Sequence, residues 1–155
     1  MNEPFQQKIV HVSKEKVDEM ILKLYKRIAL NKENFDYVVG IERGGINVSV
    51  PLAKMLNIPH KAIQISFYKD DKVASKEPIT DFYGHCFNIK DRVLVVDDLI
   101  DAGGTLNYFI DNVLCNYKIA VLYWNKYNKH DIKPDYYIDE KFLNTWLTFY
   151  WEEEK

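Results

Sequence analysis

Residues 92–105 read RVLVVDDLIDAGGT, and this stretch decides the fold. The unbroken apolar run at 93–96 is typical of a strand that is covered on both faces, as in a parallel sheet under helices. Two aspartates follow at 97–98, at the carboxyl end of the strand, where open α/β sheets bind ligands. The glycine pair at 103–104 allows a tight turn, so that backbone N–H groups can converge on an anion at the start of the next helix. The stretch therefore predicts a phosphate-binding loop beside carboxylates.

Length, charge and cysteine usage narrow the class of protein. The 155 residues predict a single domain, 1–155, with a core of its own. A net charge of −2 argues against nucleic acid as a partner. The chain has no apolar run of membrane-spanning length and no signal-peptide core, so we expect a cytoplasmic protein without membrane contact. Cys86 and Cys115 form neither a metal-ligand spacing nor a disulfide framework, and free thiols in a reducing cytoplasm are expected.

The hydrophobic spacing predicts helices that alternate with strands, which is typical of an α/β fold with a mostly parallel central sheet flanked by helices. The helices are expected at 13–30, where Ser13 is the N-cap, at 46–56 and from 106 to 114. The strands are expected at 37–41, 60–66, 93–96, 117–124 and 135–139. Residues 66–88 have little periodicity and predict a long irregular segment of the kind that often forms a lid or binding loop. A plain solvated hairpin is the alternative interpretation.

The stretch at 92–105 resembles the motif that binds phosphoribosyl pyrophosphate (PRPP) in the type I phosphoribosyltransferases. That motif is an apolar run, two acidic residues, two apolar residues and then Asp-Thr-Gly-Gly-Thr or a close variant. The whole pattern matches except at Ala102, where the family usually has Thr or Ser. One hydroxyl contact to the 5′-phosphate is thereby lost, whereas the backbone N–H that does most of the binding remains.

The resemblance implies a role for each polar residue of the motif. Asp97 and Asp98 would meet the ribose hydroxyls directly or through Mg²⁺, with Asp98 as the metal residue. Asp101 would be the catalytic acid/base group near N7 of a purine. The residues that would hold the 5′-phosphate are Ala102, Gly103, Gly104 and Thr105.

A second loop also resembles the family. The predicted strand at 37–41 is followed by Glu42, Arg43, Gly44 and Gly45, where phosphoribosyltransferases often have Ser-Arg-Gly-Gly to hold pyrophosphate. Two glycines expose backbone donors, and an arginine adds a fixed fork for phosphate oxygens. Glu42 departs from the pattern. The resemblance also implies a cis peptide bond next to the glycine.

The start of segment 66–88 resembles the base of the mobile loop that closes over the active site in this family. There the family often carries Ser-Tyr or Ser-Ser-Tyr, and this chain has Ser66, Phe67 and Tyr68. By this match Ser66 and Tyr68 belong to the hinge of the flexible loop. Closure of such a loop would exclude water from the reaction.

The C-terminal third resembles the bacterial xanthine-guanine (6-oxopurine) branch of the family, which carries a lysine after this strand and a tail of the form Tyr-Val-Val-Asp followed by Asp-Thr-Trp-Ile. This chain has YYID at 136–139 and NTWL at 144–147. By this match Lys126 would donate to the oxygen at purine C6, Trp146 would stack on the base, and the Leu147 carbonyl would face the 2-position. An aromatic platform suits a flat ring, and an ammonium group only donates.

The resemblance implies a type I phosphoribosyltransferase fold with a small C-terminal hood, in a homodimer or homotetramer. The implied activity is transfer of the 5-phosphoribosyl group from PRPP to guanine, xanthine or hypoxanthine. Two alternatives stay open at this point. One is a protein of the same fold that binds PRPP or nucleotides as a regulator, and the other is an enzyme for a different base, such as a pyrimidine.

Overall fold

The computed structural model describes residues 6–69 and 73–152 of the chain. Three α-helices and eight strands lie within those residues, joined by short loops and two 3₁₀ turns. The helices are α1 (Lys14–Leu30), α2 (Ile46–Leu56) and α3 (Gly104–Asn112). The strands are β1 (Lys8–Val12), β2 (Tyr37–Glu42), β3 (His60–Lys69), β4 (Val73–Thr80), β5 (Arg92–Ile100), β6 (Asn116–Trp124), β7 (Asp139–Glu140) and β8 (Thr145–Phe149). The 3₁₀ turns are Gly84–Cys86 and Tyr150–Glu152.

The central sheet of the described residues has six strands in the order β4-β3-β2-β5-β6-β7. Only the β3–β4 pairing is antiparallel; β2 pairs in parallel with β3 and β5, and β6 pairs in parallel with β5 and β7. The predicted α/β class and mostly parallel sheet are therefore confirmed. Since parallel strands end at the same edge, the loops that follow β2, β5 and β6 are brought side by side.

Strand β5 lies at the centre of the core, as its apolar run predicts. All four residues at 93–96 are fully buried. Leu94 and Val96 pack in the cluster that contains the buried faces of α1 and α2, whereas Val93 and Val95 pack in the cluster that contains Phe109 of α3. The strand is thus covered on both faces, which explains why it reads as a continuous apolar run rather than an alternating one.

The two ends of the described chain pair with each other, a feature that the sequence did not predict. Strands β1 and β8 form a separate two-stranded parallel sheet, here called the terminal sheet, in which Ile9 is the register partner of Trp146. Val12, Leu147 and Phe149 turn inward from it and join the α1–α2 side of the core. The terminal sheet therefore attaches the C-terminal segment to the body of the domain.

Several predicted boundaries are wrong. Strand β5 does not stop at residue 96 but continues through both aspartates to Ile100, because β6 pairs with it as far as Trp124. Strand 135–139 is reduced to β7 and one isolated bridge, Ala120 to Tyr136. Helix α3 ends at Asn112, two residues earlier than predicted.

The segment at 66–88 is largely regular. Strand β3 runs on to Lys69, and β4 folds back against it, with a register shift between Ser66 and Tyr68. The hairpin alternative is therefore correct for residues 66–69 and 73–80, whereas residues 81–88 are irregular apart from the 3₁₀ turn Gly84–Cys86. Residues 70–72 lie outside the described residues. No helix among the described residues is long and apolar enough to cross a membrane.

Candidate active site

The RGG loop (residues 43–45) lies directly against the aspartates of β5. A Cβ atom added at Gly44 would overlap Oδ2 of Asp98. A Cβ added at Gly45 would lie 2.5 Å from the Ile41 carbonyl oxygen and 2.7 Å from that of Val96. Position 44 must therefore be glycine to leave room for the Asp98 side chain, and position 45 must be glycine to leave room for the backbone of β2 and β5. The Glu42–Arg43 peptide bond is cis, as the family resemblance implies.

Asp97 and Asp98 form a half-buried pair of carboxylates at this junction. The Asp98 amide donates a hydrogen bond to Asp97 Oδ1 at 2.9 Å. Burial, together with repulsion from Asp98, raises the pKa of Asp97 well above its ordinary value. Burial also raises the pKa of Asp98, to about 6, and Glu152 adds to the effect. Both carboxylates therefore keep their protons to a higher pH than an exposed aspartate does, and a bound cation would favour their ionised form.

The oxygen donors of this pair fit Mg²⁺, which prefers carboxylates and phosphate oxygens. Among the described residues there is no group of three or more His, Cys, Asp or Glu side chains that could hold a metal ion without help. Mg²⁺ is usually held by one or two carboxylates together with a phosphorylated substrate, and the aspartate pair offers such carboxylates.

The phosphate loop (residues 101–104) follows β5 and is braced by the segment after β6. Gly103 has a φ of +90° and leads into α3, which begins at Gly104, so the N–H groups of the first turn face the loop. A Cβ at Gly103 would also lie 3.0 Å from Asn128 Oδ1. The Lys129 amide donates to the Ala102 carbonyl at 3.1 Å. The loop therefore has the backbone arrangement of an anion-binding site.

Asp101 is held by a residue that the sequence did not single out. The Nζ atom of Lys141 donates to Asp101 Oδ1 at 2.7 Å. The Lys141 side chain is only 11 % exposed, while that of Asp101 is 45 % exposed. The contact spans 40 residues of sequence, so no local pattern could have revealed it.

The predicted base-binding residues are exposed. Lys126 follows β6 and pairs with Glu140 at 3.2 Å, with the two side chains 45 % and 40 % exposed. The hydrogen bond to Glu140 raises the pKa of Lys126. Trp146 is 53 % exposed on the outer face of the terminal sheet, whereas the Leu147 side chain is buried. The predicted contact of the Leu147 carbonyl with a base concerns its backbone and stays a prediction.

The predicted hinge lies close to the phosphate loop. The Ser66 hydroxyl donates to the Tyr68 carbonyl at 3.0 Å and accepts from the Tyr68 amide at 3.2 Å. Between them, the Phe67 ring lies 3.9 Å from the point where Gly104 would carry a Cβ and meets Tyr108 edge to face. The start of the β3–β4 hairpin thus borders the cleft, and its role in closure stays a prediction.

The structure brings together the RGG loop, the aspartate pair and the phosphate loop at the carboxyl edge of β2 and β5. It joins Lys126 to this edge through the end of β6, where Asn125 Nδ2 donates to the Asp101 carbonyl at 3.1 Å. Asn125 and Asn128 were missed. Asn125 could have been found, because it directly follows β6 and polar residues directly after a strand were the signal that pointed to other site residues, whereas Asn128 lies further along the loop. Trp146 lies in the terminal sheet, where its register partner is Ile9, and its contact with a base stays a prediction.

A cavity of about 440 Å³ lies away from these residues, between α3 and the segment at 130–135. Its rim includes Lys118, which already pairs with Asp135 at 3.5 Å and Glu33 at 3.8 Å. The charge of Lys118 is therefore compensated within the chain, and the candidate active site is the carboxyl edge of the sheet, where the sequence motifs meet.

Comparison with known proteins agrees with this geometry. The family model described as the phosphoribosyl transferase domain matches residues 7–154. The chain belongs to the phosphoribosyltransferase family. The type I fold implied by the PRPP motif is thereby confirmed, and the match includes the RGG loop, the aspartate pair and the phosphate loop.

Three proteins to which the chain is similar are named as purine phosphoribosyltransferases or as proteins like them. The purine phosphoribosyltransferase of Pyrococcus horikoshii is 32 % identical, covers 95 % of this chain and 96 % of its own, and superposes with a TM-score of 0.77. The xanthine-guanine-hypoxanthine phosphoribosyltransferase of Helicobacter pylori shares the fold, with 21 % identity, a TM-score of 0.71 and 94 % of each chain covered. HGPRTase-like protein 1 of Haloferax volcanii is 32 % identical over 98 residues, which are 60 % of this chain. The chain thus matches about half the length, 51 %, of that curated relative.

Proposed function

We propose that the protein transfers the 5-phosphoribosyl group from PRPP to N9 of a 6-oxopurine base, yielding a nucleoside monophosphate and pyrophosphate, as in purine salvage. The observation that carries the proposal is the contact of Gly44 with Asp98. It joins a pyrophosphate-binding loop to a ribose-binding carboxylate pair, and β5 then leads directly into a phosphate loop. PRPP has these three parts, pyrophosphate, ribose and 5′-phosphate, linked in the same order.

In the binding of PRPP, backbone N–H groups would stabilise the charged phosphates, and side chains would orient the ligand. The N–H groups of the phosphate loop and of the first turn of α3 would hold the 5′-phosphate. The RGG loop would hold the pyrophosphate, with Arg43 as a bidentate donor. Asp97 and Asp98 would accept from the ribose hydroxyls. When bound, Mg²⁺ would neutralise the pyrophosphate and the aspartate pair.

The transfer itself demands positioning and electrostatics rather than covalent chemistry by the protein. The bond between C1′ and the pyrophosphate oxygen breaks, pyrophosphate leaves with the electron pair, and N9 of the base forms the new bond to C1′. The base must lose one proton in the process. Asp101 follows the aspartate pair along the chain as the first residue of the phosphate loop, and its second carboxylate oxygen would accept that proton from N7.

We propose that the base is selected by one residue that follows β6 and by two residues of β8. Lys126 would donate to the C6 oxygen that guanine, xanthine and hypoxanthine share, whereas adenine presents an amino group there. Trp146 would cover the ring, and the Leu147 carbonyl would meet the 2-position. We further propose a homodimer or homotetramer, as the family resemblance implies.

One assay tests the proposal. Purified protein is incubated with PRPP, Mg²⁺ and one base at a time, taken from guanine, xanthine, hypoxanthine, adenine, uracil and orotate, and pyrophosphate release is measured. We expect turnover with at least one 6-oxopurine and very little with adenine. Better use of adenine or a pyrimidine would refute the base assignment. Tight PRPP binding without turnover of any base would instead identify a regulatory binder of the same fold.

A further inference from the structure

Lys141 is an almost buried cation beside the proposed acid/base group. Its side chain is 11 % exposed, and its Nζ atom lies 2.7 Å from Asp101 Oδ1. A lysine this buried needs an anionic partner, because an unpaired charge away from water is strongly unfavourable. Among the described residues that partner is Asp101, and one of its two carboxylate oxygens is therefore bound to Lys141.

The backbone of Lys141 is bound to the end of β6, which also binds the backbone next to and at Asp101. The Lys141 amide donates to the Trp124 carbonyl at 2.9 Å, continuing the pairing of β7 with β6. One residue further along, the Asn125 amide donates to the Ile100 carbonyl at 2.8 Å. The Asn125 side chain also reaches the Asp101 carbonyl. The end of β6 thus fixes Asp101 at its backbone and, through Lys141, at its carboxylate.

We infer that Lys141 is a positioning residue for the reaction proposed above, on which this inference rests. Lys141 occupies Oδ1 of Asp101, so Oδ2 is the oxygen that faces the base and takes the proton from its ring nitrogen. A charge-assisted hydrogen bond of this length restricts rotation of the carboxylate about its Cβ–Cγ bond. Lys141 acts through Asp101 and does not itself touch the substrate.

The neighbouring ion pair shows why burial matters here. Glu140 precedes Lys141 and pairs with Lys126, but both of those side chains are about half exposed. Ion pairs between exposed side chains contribute little and restrict their partners weakly. In the Lys141–Asp101 pair the lysine side chain is only 11 % exposed, although that of Asp101 is 45 % exposed, so the ammonium group is held in place by its burial. The structure therefore assigns the positioning of a reacting group to this lysine.

A double-mutant cycle tests the inference. The variants are Lys141→Met, Lys141→Arg, Asp101→Asn and the double variant Lys141→Met/Asp101→Asn, with the exposed Lys133→Met as a control for loss of one positive charge. For each, kcat and the KM of the best base are measured at saturating PRPP and Mg²⁺. We expect Lys141→Met to lower kcat about 10- to 30-fold with little change in KM, because geometry in the transition state is what it loses. Lys141→Arg should recover most of kcat.

The decisive comparison is between the double variant and Asp101→Asn alone. If Lys141 acts through Asp101, the double variant is no slower than Asp101→Asn, so the two losses do not multiply. Losses that multiply, or a Lys141→Met protein with wild-type kcat, overturn the inference. If Lys141→Met does not fold, judged by its melting temperature against Lys133→Met, the same comparison is made with Lys141→Gln. A wild-type protein that uses no base at all refutes the proposed function, whereas an active wild type with unaffected Lys141 variants refutes only this inference.

Discussion

The two halves of the candidate site are built differently. The PRPP half consists of backbone turns and half-buried carboxylates that pack against each other, with no room for a Cβ at Gly44 or Gly45. The proposed base half consists of side chains in β8 and just after β6 and β7, and both Lys126 and Trp146 are about half exposed. The first half is therefore rigid and intolerant of change, whereas the second can vary without disturbing the core.

The difference suggests how one fold can serve different acceptor bases. PRPP is the common substrate whichever base accepts the phosphoribosyl group. The half of the site that would bind PRPP can therefore rely on a fixed main-chain geometry, which few sequences satisfy. The base differs between enzymes, and the half that reads it uses side chains that can be replaced singly. The largest effects of mutation are expected in the PRPP half and the smallest at the exposed end of the base half.

Gly44→Ala should have the largest effect on activity. The new Cβ overlaps Asp98 Oδ2, so either that carboxylate or the RGG loop must move. A displacement of about 1 Å in a reacting complex can cost 10²-fold, and here two binding elements are displaced together, so we expect a loss of kcat/KM well above 10²-fold.

The control for this variant is its neighbour. A Cβ at Gly45 meets the backbone of β2 and β5 and not a side chain, so Gly45→Ala should lower the melting temperature clearly. Gly44→Ala should lower it much less, since a side chain can turn aside. An active Gly44→Ala protein would mean that Asp98 is not held against the RGG loop.

Asp101→Asn should come next. The substitution keeps the shape and an acceptor for Lys141 but removes the base, and general acid/base catalysis is typically worth roughly 10²-fold or more. PRPP binding, measured by calorimetry, should be nearly unchanged. An unchanged kcat at saturating substrates, with chemistry rate-limiting, would remove Asp101 from the mechanism.

The PRPP half was largely predictable from sequence because its signals are local. Residues 92–105 contain a strand, its terminal carboxylates and a turn in one continuous stretch, and the same holds for the RGG loop. Strand β1 was missed because it is short and mostly exposed, so it has no clear alternation; only its pairing with β8 makes it a strand.

The base half was only partly predictable because its contacts are not local. Lys141 and Asp101 are 40 residues apart, and Lys141 follows a strand of two residues. Its position depends on how β7 pairs with β6. No spacing rule connects such residues. The resemblance to known enzymes could point to Lys126 because those enzymes carry a lysine just after the corresponding strand, and Lys126 lies two residues after β6.

Asp98→Asn should stabilise the free protein while impairing its function. The pKa of Asp98 is about 6 in the folded chain against an ordinary 3.8, so between these values the folded state binds more protons than the unfolded state. The free energy of unfolding therefore falls as the pH rises through this window. Without PRPP and Mg²⁺, Asp98→Asn should be more stable than wild type at pH 7 by about 1–3 kcal/mol.

The measurement is urea unfolding between pH 4 and pH 7 in the presence of a chelator. The variant should have the flatter profile, although the neighbouring Asp97 keeps part of the slope. The exposed Asp111→Asn is the control and should follow wild type. An Asp98→Asn protein less stable than wild type at pH 7 would show that Asp98 is favourably ionised in the free chain.

Lys126→Ala should lower activity selectively. In the proposed complex the ammonium group leaves Glu140 and donates to the C6 oxygen of a 6-oxopurine. Leaving a polar group unpaired costs about 1–3 kcal/mol, and we expect the lower end of this range because the bond to Glu140 is given up. The expected loss is about tenfold in kcat/KM. Turnover of adenine should change little, so the preference for 6-oxopurines over adenine should become smaller. Lys129→Ala, an exposed lysine three residues further on, controls for charge; an equal loss from it would make the effect one of general electrostatics.

Trp146→Ala should have the smallest effect and a different signature. Stacking reads the face of a ring and not its edge, so all accepted purines should lose affinity together, with their order of preference unchanged. A fully enclosed ring can lose about 1–3 kcal/mol per base on truncation to alanine, but Trp146 is 53 % exposed, so a rise in KM of about fivefold to tenfold is expected. Trp146→Phe should restore most of it. Ile89→Ala, an exposed apolar residue just before β5 at the opposite edge of the sheet, serves as the control. If Trp146→Ala changed the preference among bases and left their average KM unchanged, the indole would be contacting the ring edge, and the division of labour between Trp146 and Lys126 would be reversed.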